Sequence, residues 1–283
     1  MGSFLGHAAN GVFFIGYAII WMIHHAYLQA SASLRHGKTS QCKHARRLPI
    51  LGMAFMLACC IGLIVGENVH PVLKWRIVDE SGNWEPYGNV WLHCSMAMFF
   101  GLYSVVNLLK HTCLPSAAKF EMLIASLAFG VEGFIFVCHI VLPDNKAKKG
   151  MVPHVLLLIP IFVCFFATLC EVFTKNHLLE LSYIRTVAIL QQGTWFMQMA
   201  CILFKNPWGD EAIDHEYAAV FFSWHLFVNI LLLIVVYNVT ALIVRQGRSL
   251  TSGNGASYSL LDKERDDDIG MDDLEEKSSC LQA

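Results

Sequence analysis

The chain has 283 residues, of which 55% are hydrophobic and only 15% are charged, with a formal net charge of −2. Its mean hydropathy is +0.50. A soluble domain cannot cover so much apolar surface with so few charges, whereas uncharged stretches of about 20 residues are typical of membrane spans. The composition therefore excludes a soluble enzyme, a nucleic-acid binder and a disulfide-rich secreted module.

Seven apolar stretches follow one another along the chain. We predict an all-α integral membrane protein, a seven-transmembrane-helix bundle, because backbone groups inside a bilayer must be hydrogen-bonded within their own segment. The predicted spans are residues 11–31, 48–66, 89–109, 120–142, 152–173, 184–204 and 218–244. Together they form a predicted membrane domain over residues 1–245. Pro49 and Pro153 are expected in first helical turns, where proline is tolerated.

The distribution of lysine and arginine predicts the orientation of the spans. Basic residues are concentrated in cytosolic connections, and the first connection usually dominates. The connection after the first span holds Arg35, Lys38, Lys43, Arg46 and Arg47. We therefore expect the N-terminus outside or in the lumen and the C-terminus in the cytosol.

Histidines are concentrated in the predicted outer half of the spans. Imidazole is a good ligand for zinc, iron and copper, so a divalent metal ion is the cofactor that these residues would suit. The candidate ligands are His93, His139, His154 and His225. Two other histidine sites are also considered: a haem held by paired histidines and a zinc hydrolase of the ceramidase type. The second needs a His-x-x-x-His pair in the last span, whereas this chain has His225 followed by Asn229.

Four further polar residues in the spans are candidates either to hydrogen-bond to those metal ligands or to carry protons in a relay. Glu132 lies near the predicted membrane midplane, and Gln191 and Gln198 lie on one stripe of the sixth span. Glu171 lies near the inner end of the fifth span, where a pair with Arg185 is favoured over a relay role. Ionisable groups in a span should face the bundle interior. The alternative is a hydrogen-bonded network that joins the helices.

Residues 246–283 form a predicted disordered, cytosolic tail, because they are rich in glycine and serine and then become acidic. Within the tail, Tyr258-Ser259-Leu260-Leu261 has the form Tyr-x-x-apolar. Such a segment can bind a clathrin adaptor in an extended conformation. Tyr258 and Leu261 are therefore candidate residues of a sorting signal.

Several short strings mark a resemblance to a known family. They are Gly6-His7-Ala8, Val131-Glu132-Gly133-Phe134 with His139, Leu169-Cys170-Glu171-Val172, Gln192-Gly193-Thr194-Trp195-Phe196 and Trp224-His225. Over about residues 1–245 the chain resembles the transmembrane protein 45 family. The resemblance implies a seven-span protein of the trans-Golgi, endosomes and lysosomes, with the plasma membrane as a further location. It implies no established biochemical activity.

Two functional classes follow from these observations. The favoured one is a non-enzymatic endomembrane protein in trafficking or scaffolding, in which the His/Glu/Gln cluster is structural. The alternative is a metal- or proton-handling membrane protein, or a metal-dependent membrane enzyme, that uses the cluster as its site. The expected partners are the lipid bilayer and a clathrin adaptor, and no nucleic acid.

Overall fold

The computed structural model describes residues 4–33, 40–69, 75–78, 80–83, 87–141, 151–174, 177–205 and 215–258. The side chains of 32–33, 40–46, 89, 139, 215 and 247–258 lie outside that description. Throughout these ranges the regular secondary structure is helical. The long helices are α1 (Phe4–Ser33), α2 (Ser40–Val69), α3 (Gly88–Thr112), α4 (Glu121–Val141), α5 (Met151–Phe173), α6 (Leu178–Phe204) and α7 (His215–Tyr258).

Each predicted span coincides with one long helix to within a residue or lies inside it. Among the described residues, seven helices are long and apolar enough to cross a membrane, so the predicted all-α, seven-helix membrane architecture is confirmed. The placement of Pro49 was wrong, because α2 begins at Ser40 and encloses Pro49 in its interior. The thickness of the bilayer determines the length of the apolar stretch but not the length of the helix. The helix α2 includes the basic residues that precede its apolar stretch, so it begins before the predicted span.

The last helix extends beyond the predicted final span. The backbone of α7 is helical to Tyr258, so the predicted junction between the membrane domain and the tail, at residues 245–246, lies within this helix. Residues 259–283 lie outside the described residues. The division into a membrane domain and a disordered tail therefore stays a prediction.

Helices that follow one another in sequence pack side by side, and α1 closes the bundle by packing along α6 and α7. The helix with the largest fraction of buried residues is α6, and the helix with the smallest fraction is α7. We call the end where α1 and α3 finish and α4 and α6 begin the inner end, and the opposite end the outer end. A short 3₁₀ helix, Pro115–Phe120, joins α3 to α4 at the inner end.

Close approach of two helix backbones fixes the contact between α1 and α6. A Cβ atom added to Gly193 would lie 2.7 Å from the backbone nitrogen of Ile15 and 3.0 Å from the backbone oxygen of Gly11. Small residues allow helices in a membrane to approach this closely. Next to this contact, the rings of Phe14 and Phe196 stack with centroids 5.8 Å apart. The polar residues of α6 are thereby carried into the interior.

Candidate functional site

The described histidines of the outer half contact separate partners on separate helices. His93 on α3 lies against α2, with its Nδ1 3.1 Å from Oε1 of Glu67. His154 on α5 lies edge-on to the ring of His7 on α1, with centroids 5.8 Å apart. His225 on α7 packs edge-on against Trp195 of α6, at 5.9 Å between centroids.

These positions bear on the predicted metal centre. Among the side chains that the structure describes, no group of three or more His, Cys, Asp or Glu residues could hold a metal ion. The side chain of the fourth candidate, His139 on α4, lies outside the described set. His93, His154 and His225 therefore do not form a metal site by themselves, and a divalent metal ion stays a prediction that needs His139.

A stripe of polar side chains on α6 joins this helix to α5 and α7, its two neighbours in sequence. Gln191 donates from Nε2 to the backbone oxygen of Phe222 on α7 at 2.9 Å, and its Oε1 accepts from Nδ2 of Asn229 at 2.8 Å. The same Asn229 nitrogen also donates to Oγ1 of Thr194 at 3.0 Å. Trp195 donates from Nε1 to the backbone oxygen of Pro153 on α5 at 2.8 Å. These are the cross-helix bonds that the network interpretation requires.

Gln198 lies further out on the same helix than these residues. Its side chain is half-buried, whereas the side chain of Gln191 is buried. The two glutamines that the sequence placed on one stripe of α6 therefore occupy different environments. Gln191 is part of the cross-helix network, and the candidate role of Gln198 stays a prediction.

Glu132 lies in the middle of the bundle and is enclosed. It is 2% exposed, and its Oε2 has no hydrogen-bond partner among the described residues. Gln192 on α6 is fully buried and donates from Nε2 towards Sγ of Cys164 at 3.3 Å and the backbone oxygen of Pro160 at 3.4 Å. Within the described set, Oε1 of Gln192 has no donor. Two acceptor oxygens are thus buried without a donor at the α4–α5–α6 interface.

Two ion pairs occupy the inner end. Nη1 of Arg185 on α6 lies 2.9 Å from Oε2 of Glu171 on α5, with the two side chains 10% and 7% exposed. Pairing with Arg185 was one of the two interpretations, beside snorkelling, that the sequence favoured for Glu171; its relay role stays a prediction. On the other side of the inner end, Nζ of Lys110 on α3 lies 2.8 Å from Oε2 of Glu121 on α4. Asn107 donates to Oε1 of Glu121, so both carboxylates have partners.

Sequence reasoning missed the Lys110–Glu121 pair. Lys110 was a basic residue near a span end, where charges normally report orientation. The signal was the spacing: Asn107 and Lys110 are three residues apart on one face of α3, and Glu121 begins the next helix after a short connection. His24 and His25 are adjacent on α1 towards the inner end, with ring centroids 5.6 Å apart.

The candidate sorting residues are only partly within the described ranges. Tyr258 is the last residue of α7 by its backbone, and its side chain is not among those described. Leu261 lies outside the described residues. The sorting signal stays a prediction.

Comparison with protein families gives a match over the second half of the membrane region. Residues 118–238 match a family described as "Family of unknown function (DUF716)". This segment contains α4, α5, α6 and most of α7. It therefore contains Glu132, Gln192, the α6 network and the Arg185–Glu171 pair.

Three relatives are 23–26% identical to this chain over 55–100% of its length. Transmembrane epididymal protein 1 of Rattus norvegicus is 23% identical, with 100% of both chains covered. Transmembrane epididymal protein 1A of Mus musculus is 24% identical over 85% of this chain and 82% of its own. Transmembrane epididymal protein 1 of Homo sapiens is 26% identical over 55% of this chain and 58% of its own. The chain is thus an integral, multi-pass membrane protein similar to transmembrane proteins of a family of unknown function.

Proposed function

We propose that this chain is a non-enzymatic endomembrane protein with a trafficking or scaffold role, in which the interior polar side chains hold the seven helices in one arrangement. The observation that carries the proposal is the α6 network, in which Gln191, Asn229 and Trp195 bond to neighbouring helices. The donors of these side chains and Oε1 of Gln191 are engaged within the protein. They stabilise the bundle in the way expected of polar residues inside a membrane.

The tail supplies the trafficking part of the proposal. A Tyr-x-x-apolar segment that follows the membrane region in a cytosolic tail can be captured by a clathrin adaptor as an extended peptide. Residues Tyr258 and Leu261 would fill the two side-chain pockets of such an adaptor. The predicted compartments are the trans-Golgi, endosomes and lysosomes.

Replacing the tyrosine of the signal tests this role. Tyr258→Ala should move the steady-state protein from endosomal membranes to the cell surface, because the adaptor pocket requires the aromatic ring. The matched control is Tyr217→Ala at the outer end of α7, where the side chain is 53% exposed and should not affect sorting. Surface labelling and co-localisation with endosomal markers measure the distribution. An unchanged distribution of Tyr258→Ala, together with a changed one after truncation at residue 246, would contradict this signal.

A second candidate function is metal or proton handling. The observation that favours it is the buried Glu132, because an ionisable residue within a span is costly and commonly marks a functional site. If the function is metal handling, His139 would have to bind the metal ion together with one of the described histidines. Elemental analysis of purified protein tests this: bound zinc, iron or copper should be lost in a His139→Ala/His225→Ala double variant. Wild-type protein without metal would contradict the metal form.

A further inference from the structure

We propose that Glu132 is a proton-binding site in the middle of the membrane and that, once protonated, it donates a hydrogen bond to Gln192. The site lies between α4, α5 and α6. It does not depend on the trafficking role proposed above, and it deepens the second candidate function, proton handling, by naming the group that binds the proton and the acceptor of its hydrogen bond.

Glu132 on α4 and Gln192 on α6 lie between two side-chain contacts of these helices. Towards the inner end, Nη1 of Arg185 lies 3.2 Å from Sδ of Met122, and towards the outer end the ring centroids of Phe136 and Phe196 lie 6.0 Å apart. On α5, Sγ of Cys164 lies 3.3 Å from Nε2 of Gln192. Glu132 is 2% exposed, and Cys164 and Gln192 are fully buried. Because the amide nitrogen of Gln192 also faces the backbone oxygen of Pro160, its carbonyl oxygen is the atom left without a donor.

The described surroundings of Glu132 hold no cation that could neutralise a carboxylate. The described lysine and arginine side chains on the elements that contact α4 are Lys110 on α3, Arg185 on α6 and Lys119 on the 3₁₀ helix, where it is exposed. Further titratable side chains on α3, α5 and α6 include Tyr103, His154, Cys164 and Glu171. Lys110 and Arg185 are both paired with other carboxylates at the inner end. On α4 itself, Glu121 belongs to one of those pairs, and the side chain of His139 is not among those described.

Proton uptake resolves the hydrogen-bond imbalance at this interface. An unpaired carboxylate in an apolar interior is so unfavourable that the group takes up a proton instead. The carboxylate of Glu132 binds one proton, and the resulting O–H becomes a donor. Oε1 of Gln192 supplies the acceptor that this donor requires. One proton therefore satisfies two oxygens that the described structure leaves without partners.

Proton release would reverse this arrangement. It would leave a negative charge at the midplane and an amide oxygen without a donor, so it requires water to reach the α4–α5–α6 interface. Proton occupancy of Glu132 is thereby coupled to the opening of that interface. In this proposal, the structure described above corresponds to the closed, protonated form.

Infrared spectroscopy of the full chain in lipid vesicles tests the proposal without an assay of function. At neutral pH the wild-type protein should show the carbonyl band of a protonated carboxylic acid, and Glu132→Gln should lack it. Glu180→Gln is the matched control and should keep the band, because the side chain of Glu180 is 63% exposed and lies outside the bundle interior. Gln192→Leu should keep the band but shift its frequency, because the O–H loses its acceptor.

A second measurement keeps the test valid should Glu132→Gln fail to fold. Incorporation of carbon-13 glutamate into the wild-type protein should shift the same band, which assigns it to a glutamate. Three results would overturn the proposal. These are a wild-type spectrum without the band, a band that appears only when sodium is removed, and a band that Gln192→Leu leaves at the same frequency. The second result would indicate a bound cation in place of the proton.

Discussion

At the inner end of the bundle, two basic side chains lie within the protein, each against one carboxylate. Arg185 pairs with Glu171 at 2.9 Å, and Lys110 pairs with Glu121 at 2.8 Å. Forming such a pair contributes little net stability, because desolvation of both charges offsets their attraction. Removing one partner is much more costly, because it leaves the other charge buried and uncompensated.

The Arg185–Glu171 pair gives the first prediction. Arg185→Met should lower the free energy of unfolding by about 3–5 kcal/mol, because Glu171 would remain buried without its partner. The double variant Arg185→Met/Glu171→Met should recover most of that loss, since neither charge remains. The measurement is the unfolding midpoint of purified protein in detergent.

The matched control for this prediction is an ion pair on the surface. Arg76 and Glu80 lie 3.2 Å apart with side chains 66% and 88% exposed, so Arg76→Met should change stability by no more than about 1 kcal/mol. A double variant at positions 171 and 185 that is as unstable as Arg185→Met alone would show that an effect other than charge compensation dominates there.

Individual polar residues were predictable from the sequence to different degrees. Glu171 and Arg185 lie at similar depths on consecutive spans, so depth alone indicated their pairing. His93 was predicted to be a ligand of a metal centre together with His139, His154 and His225, and the structure places it against Glu67 on α2. The depth of a residue in the membrane follows from its position along the helix. The residue that it faces on a neighbouring helix depends on how its own helix is rotated about its axis. A span that is apolar on all sides has only a weak helical periodicity of hydrophobicity, so its sequence does not determine that rotation.

At the scale of elements, α1 and α6 make the closest helix contact described above. The backbones meet at Gly11 and Gly193, where an added Cβ atom would contact backbone atoms that cannot move aside easily. Such contacts contribute van der Waals packing, which is the main attraction between helices in lipid. The contact also places the polar stripe of α6 in the interior.

Gly193→Ala should therefore destabilise the bundle. Overpacking costs about 1–3 kcal/mol, which outweighs the gain of about 1 kcal/mol that alanine brings to a helix. Gly62→Ala on α2 is the matched control, because nothing lies within 4 Å of an added Cβ atom there. Thermal unfolding in detergent should show a lower midpoint for the first variant and an equal or higher midpoint for the second. Equal midpoints for Gly193→Ala and wild type would contradict the close contact.

The helices themselves were predictable, whereas their packing order was not. Long apolar stretches in a bilayer have to form helices, so each of the seven spans was found. The helix ends were less predictable, as Pro49 shows, because polar flanks continue a helix beyond the membrane. The α1–α6 contact joins segments that are far apart in sequence. Because the spans are uniformly hydrophobic, their sequences do not indicate which helix packs against which.

At the scale of the whole molecule, an odd number of spans places the two termini on opposite sides of the membrane. The basic connection after α1 predicts an N-terminus outside or in the lumen and a cytosolic C-terminus. A tag before Met1 should be labelled only from outside or after the lumen is opened, and a tag after Ala283 only from the cytosol. Selective permeabilisation of cells measures both. Labelling of both tags from one side would contradict the seven-span topology.

Because Gln191, Asn229 and Trp195 join α6 to its neighbours by hydrogen bonds, we expect the bundle to be stable without a bound metal. The most direct test is the thermal unfolding midpoint of purified wild-type protein in detergent, measured with and without a strong chelator. We expect the same midpoint in both, because a ligand stabilises a folded protein only when it binds that form. A midpoint that the chelator lowers in the wild type, and that it leaves unchanged in His139→Ala or His225→Ala, would contradict this expectation and identify those histidines as metal ligands.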